Sequence, residues 1–164
     1  MIRNNFVTFA TTNTKKPKIK NWVSLTKSNK ARGVNYGILC GELSDLLVID
    51  VDTADNGLDK WDKLVSENDP FNTTIVATPS GGLHYYFKHR AGLRNSIKNG
   101  GMSVDVRTTG GFVMGFDSKG YQVINDTPRI EIPEWLFKFV KPKTKQEPEL
   151  KTNIESPMLQ YNYR

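Results

Sequence analysis

Cysteine and histidine are scarce in this chain, and their scarcity excludes several kinds of site. Cys40 is the only cysteine among the 164 residues, so the chain can form neither an internal disulfide nor a multi-cysteine zinc site. His84 and His89 are the only histidines, so a structural zinc ion would need an unusual ligand set. We therefore expect no zinc.

Long hydrophobic runs and internal repeats are also absent. No apolar run approaches the roughly 18 residues that cross a bilayer, and residues 1–5 are polar rather than signal-like. We therefore expect an intracellular protein that is neither secreted nor bound to a membrane. A length of 164 residues suits one domain that can contain two lobes and bury a core.

The net charge of +6 is concentrated near the N-terminus. The first 45 residues carry two acidic residues against eight basic ones, whereas the remainder has fifteen of each sign. Lys and Arg neutralise phosphates, so a basic region beside an acidic site would suit a phosphate-rich partner. The run at 15–20 is equally typical of a solvated loop or a localisation signal. The eight basic residues are Arg3, Lys15, Lys16, Lys18, Lys20, Lys27, Lys30 and Arg32.

An apolar run that ends in two carboxylates, Leu46 to Asp52, is the first candidate site. Side chains alternate along a strand, so Asp50 and Asp52 project from the same side, roughly 7 Å apart at the backbone. The apolar residues before them predict a strand buried on both faces, as in a central or parallel strand. Paired carboxylates there favour a compensating cation such as Mg²⁺, which takes oxygen ligands. A strand that simply ends in aspartates where a turn begins is the other interpretation.

A glycine-rich turn lies between two later predicted strands. Ser80, Gly81, Gly82 and His84 could present a hydroxyl, backbone N–H groups and an imidazole to one oxyanion. The alternation of the second strand places His84 away from the predicted core face. An ordinary glycine-rich hairpin with a partly exposed histidine is the competing interpretation.

A third carboxylate follows on a later predicted strand. Asp105 and Arg107 lie out of phase with the valines of Val104–Arg107, so both charges should share one face. A structural Asp–Arg pair is the alternative. The preceding segment 88–101 is basic, has three glycines and lacks periodicity, which predicts a loop of the kind that carries binding residues.

Periodicity and chain breakers predict the remaining elements. A short helix could begin at Asn21, and a terminal helix covers residues 132–140. An amphipathic helix follows Asp52, with an apolar face of Leu58, Trp61, Leu64 and Val65. Strands are predicted at 5–10, 35–41, 46–52, 73–78, 83–88, 103–107, 112–115 and 120–124. We expect the first two strands to pair.

In their order and spacing, the three motifs resemble the primase-polymerase domain of the archaeo-eukaryotic primase superfamily, of the kind found in viruses, phages and plasmids. The matching stretches are 47–52, 78–87 and 104–107, the last followed by Gly110-Gly111. Weaker matches are the Lys16-Pro17 to Trp22 segment, the strand at 35–41 and the ending Pro133-Glu134-Trp135-Leu136. The resemblance covers about residues 4–140.

The resemblance implies an α+β, two-lobed fold. A catalytic palm at about 46–140 would be an RRM-like mixed β-sheet flanked by helices, beside a smaller, basic N-terminal α/β lobe at about 1–45. Residues 141–164 are charged and poor in apolar residues, which predicts a linker or tail. From this tail we expect that the chain is either the front end of a longer primase-helicase or a reduced polymerase.

The resemblance also implies a reaction, namely template-directed nucleotidyl transfer from dNTPs or rNTPs to a 3′-hydroxyl on a single-stranded DNA template with its primer. Asp50, Asp52 and Asp105 would hold two Mg²⁺ or Mn²⁺ ions. The nucleotide-binding residues would be Ser80, Gly81, Gly82, His84 and Arg107. Template phosphates would contact Lys15, Lys16, Arg90, Arg94 and Lys98. A helicase domain or protein is a further implied partner.

The sequence departs from some members of the superfamily. It lacks the cysteines of a zinc-binding insertion, a C-terminal helical domain that assists initiation, and a helicase motor. Priming by these residues alone is therefore not implied.

Two other functions remain open from the sequence. An RRM-like module could hold single-stranded nucleic acid on exposed aromatics such as Tyr85, Phe87 or Phe112, without chemistry. That function gives no reason for three carboxylates. A metal-dependent nuclease would share the carboxylates but has no use for a triphosphate-binding Ser-Gly-Gly-x-His turn. A histidine-pair rolling-circle endonuclease is disfavoured, because no second histidine follows His84 at the required spacing.

Overall fold

A computed structural model describes residues 5–29 and 35–143, and within them the chain forms two sheets and two α-helices. The strands are β1 (Thr8–Ala10), β2 (Tyr36–Leu39), β3 (Leu47–Val51), β4 (Thr74–Ala77), β5 (Leu83–Phe87), β6 (Val104–Arg107), β7 (Phe112–Met114) and β8 (Gln122–Asn125). The helices are α1 (Gly57–Ser66) and α2 (Glu134–Val140). The α+β class is confirmed.

The larger sheet has the strand order β6-β3-β5-β4-β8. When its strands β3, β4, β5 and β6 are numbered 1 to 4 along the chain, they lie side by side in the order 4-1-3-2. Helix α1 connects β3 to β4, and the arrangement is RRM-like. We expected a mixed sheet, but all neighbouring strands are antiparallel. The reason is that β5 inserts between β3 and β4, so the two strands joined by the α1 crossover are not neighbours. An isolated bridge between Phe87 and Ile130 is parallel.

Strand β3 is an interior strand of the larger sheet, between β6 and β5, and its apolar residues explain that position. Leu47, Val48, Ile49 and Val51 are fully buried, as expected for a strand covered on both faces. Leu47, Ile49 and Val51 pack on the helix side of the sheet, whereas Val48 packs in a second cluster on the other side. Asp50 shares the face of Val48, so the carboxylate points away from the helices.

The smaller sheet has the order β1-β2-β7 and is antiparallel, which confirms the expected pairing of the first two strands. Its third strand comes from far along the chain, within the region that the sequence assigned to the palm. Val113 of β7 and Ile38 of β2 join Val48 and Tyr86 of the larger sheet in one core cluster. The smaller sheet therefore covers the face of the larger sheet that carries Asp50.

The two helices cover the opposite face. Trp61 of α1 is buried and packs against Tyr85 of β5, with ring centroids 5.1 Å apart. Leu136 and Val140 of α2 enter the same core. Truncating a buried tryptophan of this kind to alanine costs about 3–5 kcal/mol. The short helix predicted after Asn21 is a single 3₁₀ turn with no side-chain cap.

Some predicted features fall outside the described residues. These are Arg3, Lys30 and Arg32 of the basic N-terminal region and the 144–164 part of the expected tail. Within residues 5–29 and 35–143, no helix combines the length and apolar character needed to cross a bilayer.

Candidate active site

Asp50 lies in the middle of a row of polar side chains that crosses the larger sheet. In the strand register it is directly opposite His84 of β5 on one side and Asp105 of β6 on the other. Directly opposed residues of antiparallel strands have Cα atoms about 4.5–5.5 Å apart and side chains on one face. The sheet therefore brings together three candidate residues that are distant in the sequence.

The carboxylate of Asp50 is largely buried, with 27% of its side chain exposed. Burial is the main cause that raises its pKa from 3.8 to about 6. The guanidinium of Arg107 counteracts part of this rise, whereas the charges of Asp105 and Asp52 add to it. At neutral pH the carboxylate is still ionised, in surroundings that favour the arrival of a cation.

His84 is buried beside Asp50, with 3.5 Å between its Nε2 atom and the Asp50 Oδ1 atom. Burial, followed by the positive charges of Arg107 and Lys15, lowers its pKa to about 4. The imidazole is therefore neutral wherever Asp50 is ionised, and their contact is not an ion pair. Its Nδ1 atom is buried and has no hydrogen-bond partner in the described structure. A partly exposed histidine was the competing expectation, and the ring of Tyr121, with its centroid 5.9 Å from that of His84, helps to cover it.

Both oxygens of Asp105 already accept hydrogen bonds. Oδ2 lies 2.9 Å from Nη2 of Arg107, and Oδ1 accepts from the backbone N–H of Lys98 at 3.0 Å. The Asp–Arg pair considered as a structural alternative is thus present. It joins two residues that were both candidates for the site.

Asp52 follows the last residue of β3 and is exposed. Its backbone N–H donates to the carbonyl of Ser103 at 2.9 Å, which continues the pairing with the strand that carries Asp105. Its Oδ1 accepts from the N–H of Thr53 at 2.7 Å. Asp52 therefore lies beyond Asp50 on the same side of the sheet, at the open end of the row.

The turn between β4 and β5 has internal hydrogen bonds and lies close against β3. The N–H of Thr78 donates to the carbonyl of Gly82 at 2.9 Å, and the hydroxyls of Thr78 and Ser80 are 3.1 Å apart. A Cβ atom on Gly82 would lie 2.7 Å from the carbonyl oxygen of Val51, so only glycine fits there. Gly81 has φ +88°, a left-handed conformation that glycine adopts without strain. The two glycines thus bring Ser80 to the end of the strand that carries Asp50.

A pocket of about 220 Å³ opens over this row. Six of the candidate residues other than glycine line it: Lys15, Asp50, Asp52, Ser80, His84 and Arg107. Gly82 also lines it, whereas Gly81 and Asp105 do not. Sequence reasoning did not assign Thr78, Tyr121 or the β7 residues Phe112, Val113 and Met114 to the site, although they line it too. Thr78 begins the quoted glycine-rich motif, but the β7 residues reach the pocket only through sheet packing, which leaves no local signal.

The other basic candidates lie away from this pocket. Arg90 donates to Glu134 at 2.7 Å and stacks over the ring of Phe137, 3.5 Å from its centroid, so it fastens α2. Lys16 and Arg94 are exposed and do not line the pocket. Lys98 contacts Asp105 through its backbone and is among the residues that line a separate groove.

No group of three or more His, Cys, Asp or Glu side chains in residues 5–29 and 35–143 is arranged to hold a metal ion. The oxygen donors are nevertheless of the type that hard divalent cations take. Asp50 and Asp105 are register partners, and the pKa of Asp50 is raised mainly because its carboxylate is buried, with the charges of Asp105 and Asp52 adding to the rise. The donor set therefore fits a divalent ion once Asp105 is released from Arg107.

Comparison with known proteins identifies the chain. A search of curated proteins finds no match. The model of the family described as bifunctional DNA primase/polymerase, N-terminal, matches residues 7–135, which include the three motifs at 47–52, 78–87 and 104–107. The resemblance seen in the sequence is thereby confirmed. The chain belongs to the Prim-Pol family and carries its DNA primase/polymerase domain.

Proposed function

We propose that this domain performs template-directed nucleotidyl transfer, joining a nucleotide to the 3′-hydroxyl of a primer with release of pyrophosphate. The observation that carries the proposal is the row across the sheet, in which Asp50 lies between Asp105 and His84 beneath a polar pocket. Prim-Pol domains generally depend on divalent metal ions. We propose that this chain uses two, Mg²⁺ or Mn²⁺.

Asp50, Asp52 and Asp105 would hold the ions. When bound, divalent ions at such a site activate the attacking hydroxyl and stabilise the charge on the triphosphate. The chain's own part is to hold Asp50, which is ionised at neutral pH, beside Asp105 and to free Asp105 from Arg107. An incoming triphosphate offers Arg107 a replacement anion, because guanidinium groups bind phosphate as readily as carboxylate.

The pocket is suited to the triphosphate of the incoming nucleotide. The Ser80 hydroxyl can donate to phosphate oxygens, and Lys15 and Arg107 supply positive charge on the same pocket. His84 is neutral, so it binds as a hydrogen-bond donor rather than as a cation. Gly82 lets the turn that carries Ser80 approach β3 closely, and Gly81 completes this turn.

The two alternative functions are less well supported. Tyr85 and Phe87 are buried on the helix side of the sheet, so they cannot form the stacking surface of an RRM-like binding module. Phe112 packs against Phe9 and Trp22, which also contact each other. A nuclease would share the carboxylates, but it does not need the cationic wall of Lys15 and Arg107. Association with a helicase stays a prediction of the resemblance.

Primer extension tests the proposal. The purified chain is incubated with a primed single-stranded template and labelled dNTPs or rNTPs, in Mg²⁺ and in Mn²⁺. We expect template-dependent incorporation that Asp50→Asn and Asp105→Asn each reduce by at least about a thousandfold, because each removes a charged oxygen ligand from the reacting centre.

The matched control is Asp59→Asn, which removes an exposed carboxylate of α1 on the other face of the sheet. It should extend primers at the wild-type rate. Metal-dependent extension that persists in both site variants would sink the assignment. Metal-dependent shortening of the primer without any incorporation would support the nuclease instead.

A further inference from the structure

A second concave surface lies beside the carboxylate row and shares no lining residue with the pocket. It is a groove of about 570 Å³. Residues 97–101 form one side, and the end of α2 with the residues that follow it to 143 forms the other. Four lysines line it, and none of its lining residues is acidic. We call it the lysine groove; its lysines are Lys98, Lys138, Lys141 and Lys143.

The positive charge of this groove is only partly compensated: Glu134 lies close enough to Lys138 and Lys141 for their charges to contribute to lowering its pKa, but its carboxylate is paired with Arg90. Lys98, Lys138 and Lys143 form no ion pair with any residue of 5–29 or 35–143. Lys141 lies over the ring of Phe137, 5.6 Å from its centroid. Four lysines on a groove that no acidic residue lines favour a polyanionic ligand.

Apolar side chains lie among these lysines. Ile97 lines the groove and is 66% exposed, so its apolar side chain is accessible to a ligand. The ring of Phe139 forms part of the wall, and a Cβ atom on Gly100 would lie 2.5 Å from it, so glycine lets the loop reach the ring. Lysines for phosphates beside apolar surfaces for base faces are the combination that binds single strands. The bases of a duplex are stacked on each other and cannot use such surfaces.

The loop that forms one wall is firmly held. Nδ2 of Asn99 donates to the carbonyl of Val104 at 2.9 Å and to the Ser96 hydroxyl at 3.0 Å. Ser96 pairs with Val106 on the outer edge of β6. The groove is therefore a preformed extension of the sheet edge, and binding requires little ordering of the chain.

The groove reaches the active site through one carboxylate. One oxygen of Asp105 contacts Arg107, which lines the nucleotide pocket, and the other contacts the backbone of Lys98, which lines the groove. Pocket and groove thus lie on either side of Asp105. We propose that the lysine groove binds the backbone of single-stranded DNA and guides it to the site. That this strand is the template rests on the proposed function, whereas the binding itself does not.

Binding is measured by the fluorescence anisotropy of a labelled oligothymidylate with the full chain, in EDTA and without nucleotide, over a range of salt concentrations. We expect the double variant Lys138→Gln/Lys143→Gln to bind about tenfold more weakly at low salt, and its salt slope to fall by about 0.7 for each phosphate that is no longer neutralised. The charge-matched control is Lys60→Gln/Lys63→Gln, two exposed lysines of α1 outside the groove. Equal affinities for the two double variants would overturn the proposal.

A second measurement locates the strand. Cys40 is buried and burial raises the pKa of its thiol, so a cysteine introduced at an exposed site can be labelled selectively. An environment-sensitive dye at Ile97→Cys should respond to the oligonucleotide, whereas the same dye at Ile124→Cys, on the opposite edge strand β8, should not. If anisotropy shows binding but the dye at position 97 does not respond, the proposal that the strand lies in the lysine groove is wrong. Groove binding without primer extension would contradict the proposed reaction and leave this inference standing.

Discussion

Asp50 occupies a position where folding opposes its charge. Its carboxylate is largely removed from water, and the carboxylates of Asp105 and Asp52 add repulsion. A group whose pKa is raised on folding binds its proton more tightly in the folded state than in the unfolded state. In the metal-free protein, ionised Asp50 therefore lowers the free energy of unfolding at neutral pH. This cost is the signature of a site built for a cation rather than for stability.

Asp50→Asn should stabilise the metal-free protein at neutral pH. The pKa rises from 3.8 to about 6, which corresponds to at most about 3 kcal/mol, and partial exposure reduces the expected gain to roughly 1–2 kcal/mol. The advantage of the variant should be complete above pH 6 and should shrink as the pH falls through about 6 towards 4, where Asp50 becomes protonated. Urea denaturation in EDTA at a series of pH values measures it.

The control for this prediction is again Asp59→Asn, an exposed carboxylate of α1. Adding Mn²⁺ should raise the melting temperature of the wild type but not that of Asp50→Asn, because a ligand that binds only the folded state stabilises it. A variant that is less stable than the wild type at pH 7.5 in EDTA would show that burial of the charge is not the dominant effect.

Alternation along single strands was enough to predict the shared face of Asp50 and Asp52 and the outward phase of Asp105 and Arg107. The burial of His84 was not predictable in the same way. It depends on Tyr121 and on the second sheet, which approach from distant parts of the chain. Local pattern fixes which face a side chain takes, but not what covers that face.

At the scale of elements, the turn between β4 and β5 shows how a motif is held in place. A Cβ atom on Gly82 would meet the carbonyl oxygen of Val51, which belongs to the interior strand β3 and cannot move freely. Gly81 instead needs a left-handed backbone, and a Cβ atom there would make only an ordinary 3.5 Å contact with Thr53. The two glycines are therefore required for different reasons.

Gly82→Ala should cost about 1–3 kcal/mol of stability, because the methyl group must displace the turn from β3. It should also weaken nucleotide binding, since Ser80 moves with the turn. Gly81→Ala serves as the comparison and should cost about 1–2 kcal/mol through its backbone conformation alone. Urea denaturation and nucleotide titration measure the two effects. A Gly82→Ala protein with wild-type nucleotide affinity would contradict the view that this turn is positioned by β3.

Elements were easier to predict than their pairing. Seven of the eight described strands fall within predicted segments, β8 extends one residue beyond its segment, and both α-helices lie where they were predicted, because alternation, helical spacing and breakers are local signals. The prediction of a mixed sheet was wrong, because the neighbours of a strand depend on which other strand inserts beside it. The same limit explains why β7 was not assigned to the smaller sheet.

At the scale of the whole molecule, the active site is enclosed by two sheets rather than carried by one. The larger sheet supplies the acidic row, and β7 together with the turn around Lys15 supplies the opposite wall. That turn is tight: the N–H of Lys15 donates to the carbonyl of Thr12 at 3.0 Å, and Lys15 has φ +64°. The N-terminal region therefore contributes charge to the site and not only a basic surface.

Two adjacent lysines allow this contribution to be tested. Both were predicted to contact template or phosphates, but Lys15 lines the pocket and lies over the ring of Tyr121, whereas Lys16 does not line it. Lys15→Gln should raise the KM for the incoming nucleotide about tenfold with little change in kcat, because it removes a charge-assisted contact to the triphosphate that is made before and during reaction. Lys16→Gln makes the same change of charge one residue away and should leave the KM within about twofold. Steady-state extension with varied dNTP concentration measures both. Equal effects of the two variants would mean that the N-terminal lysines act only through the overall electrostatic field of the molecule. A larger effect of Lys15→Gln would assign the nucleotide contact to the turn around Lys15, which reaches the pocket from the smaller sheet.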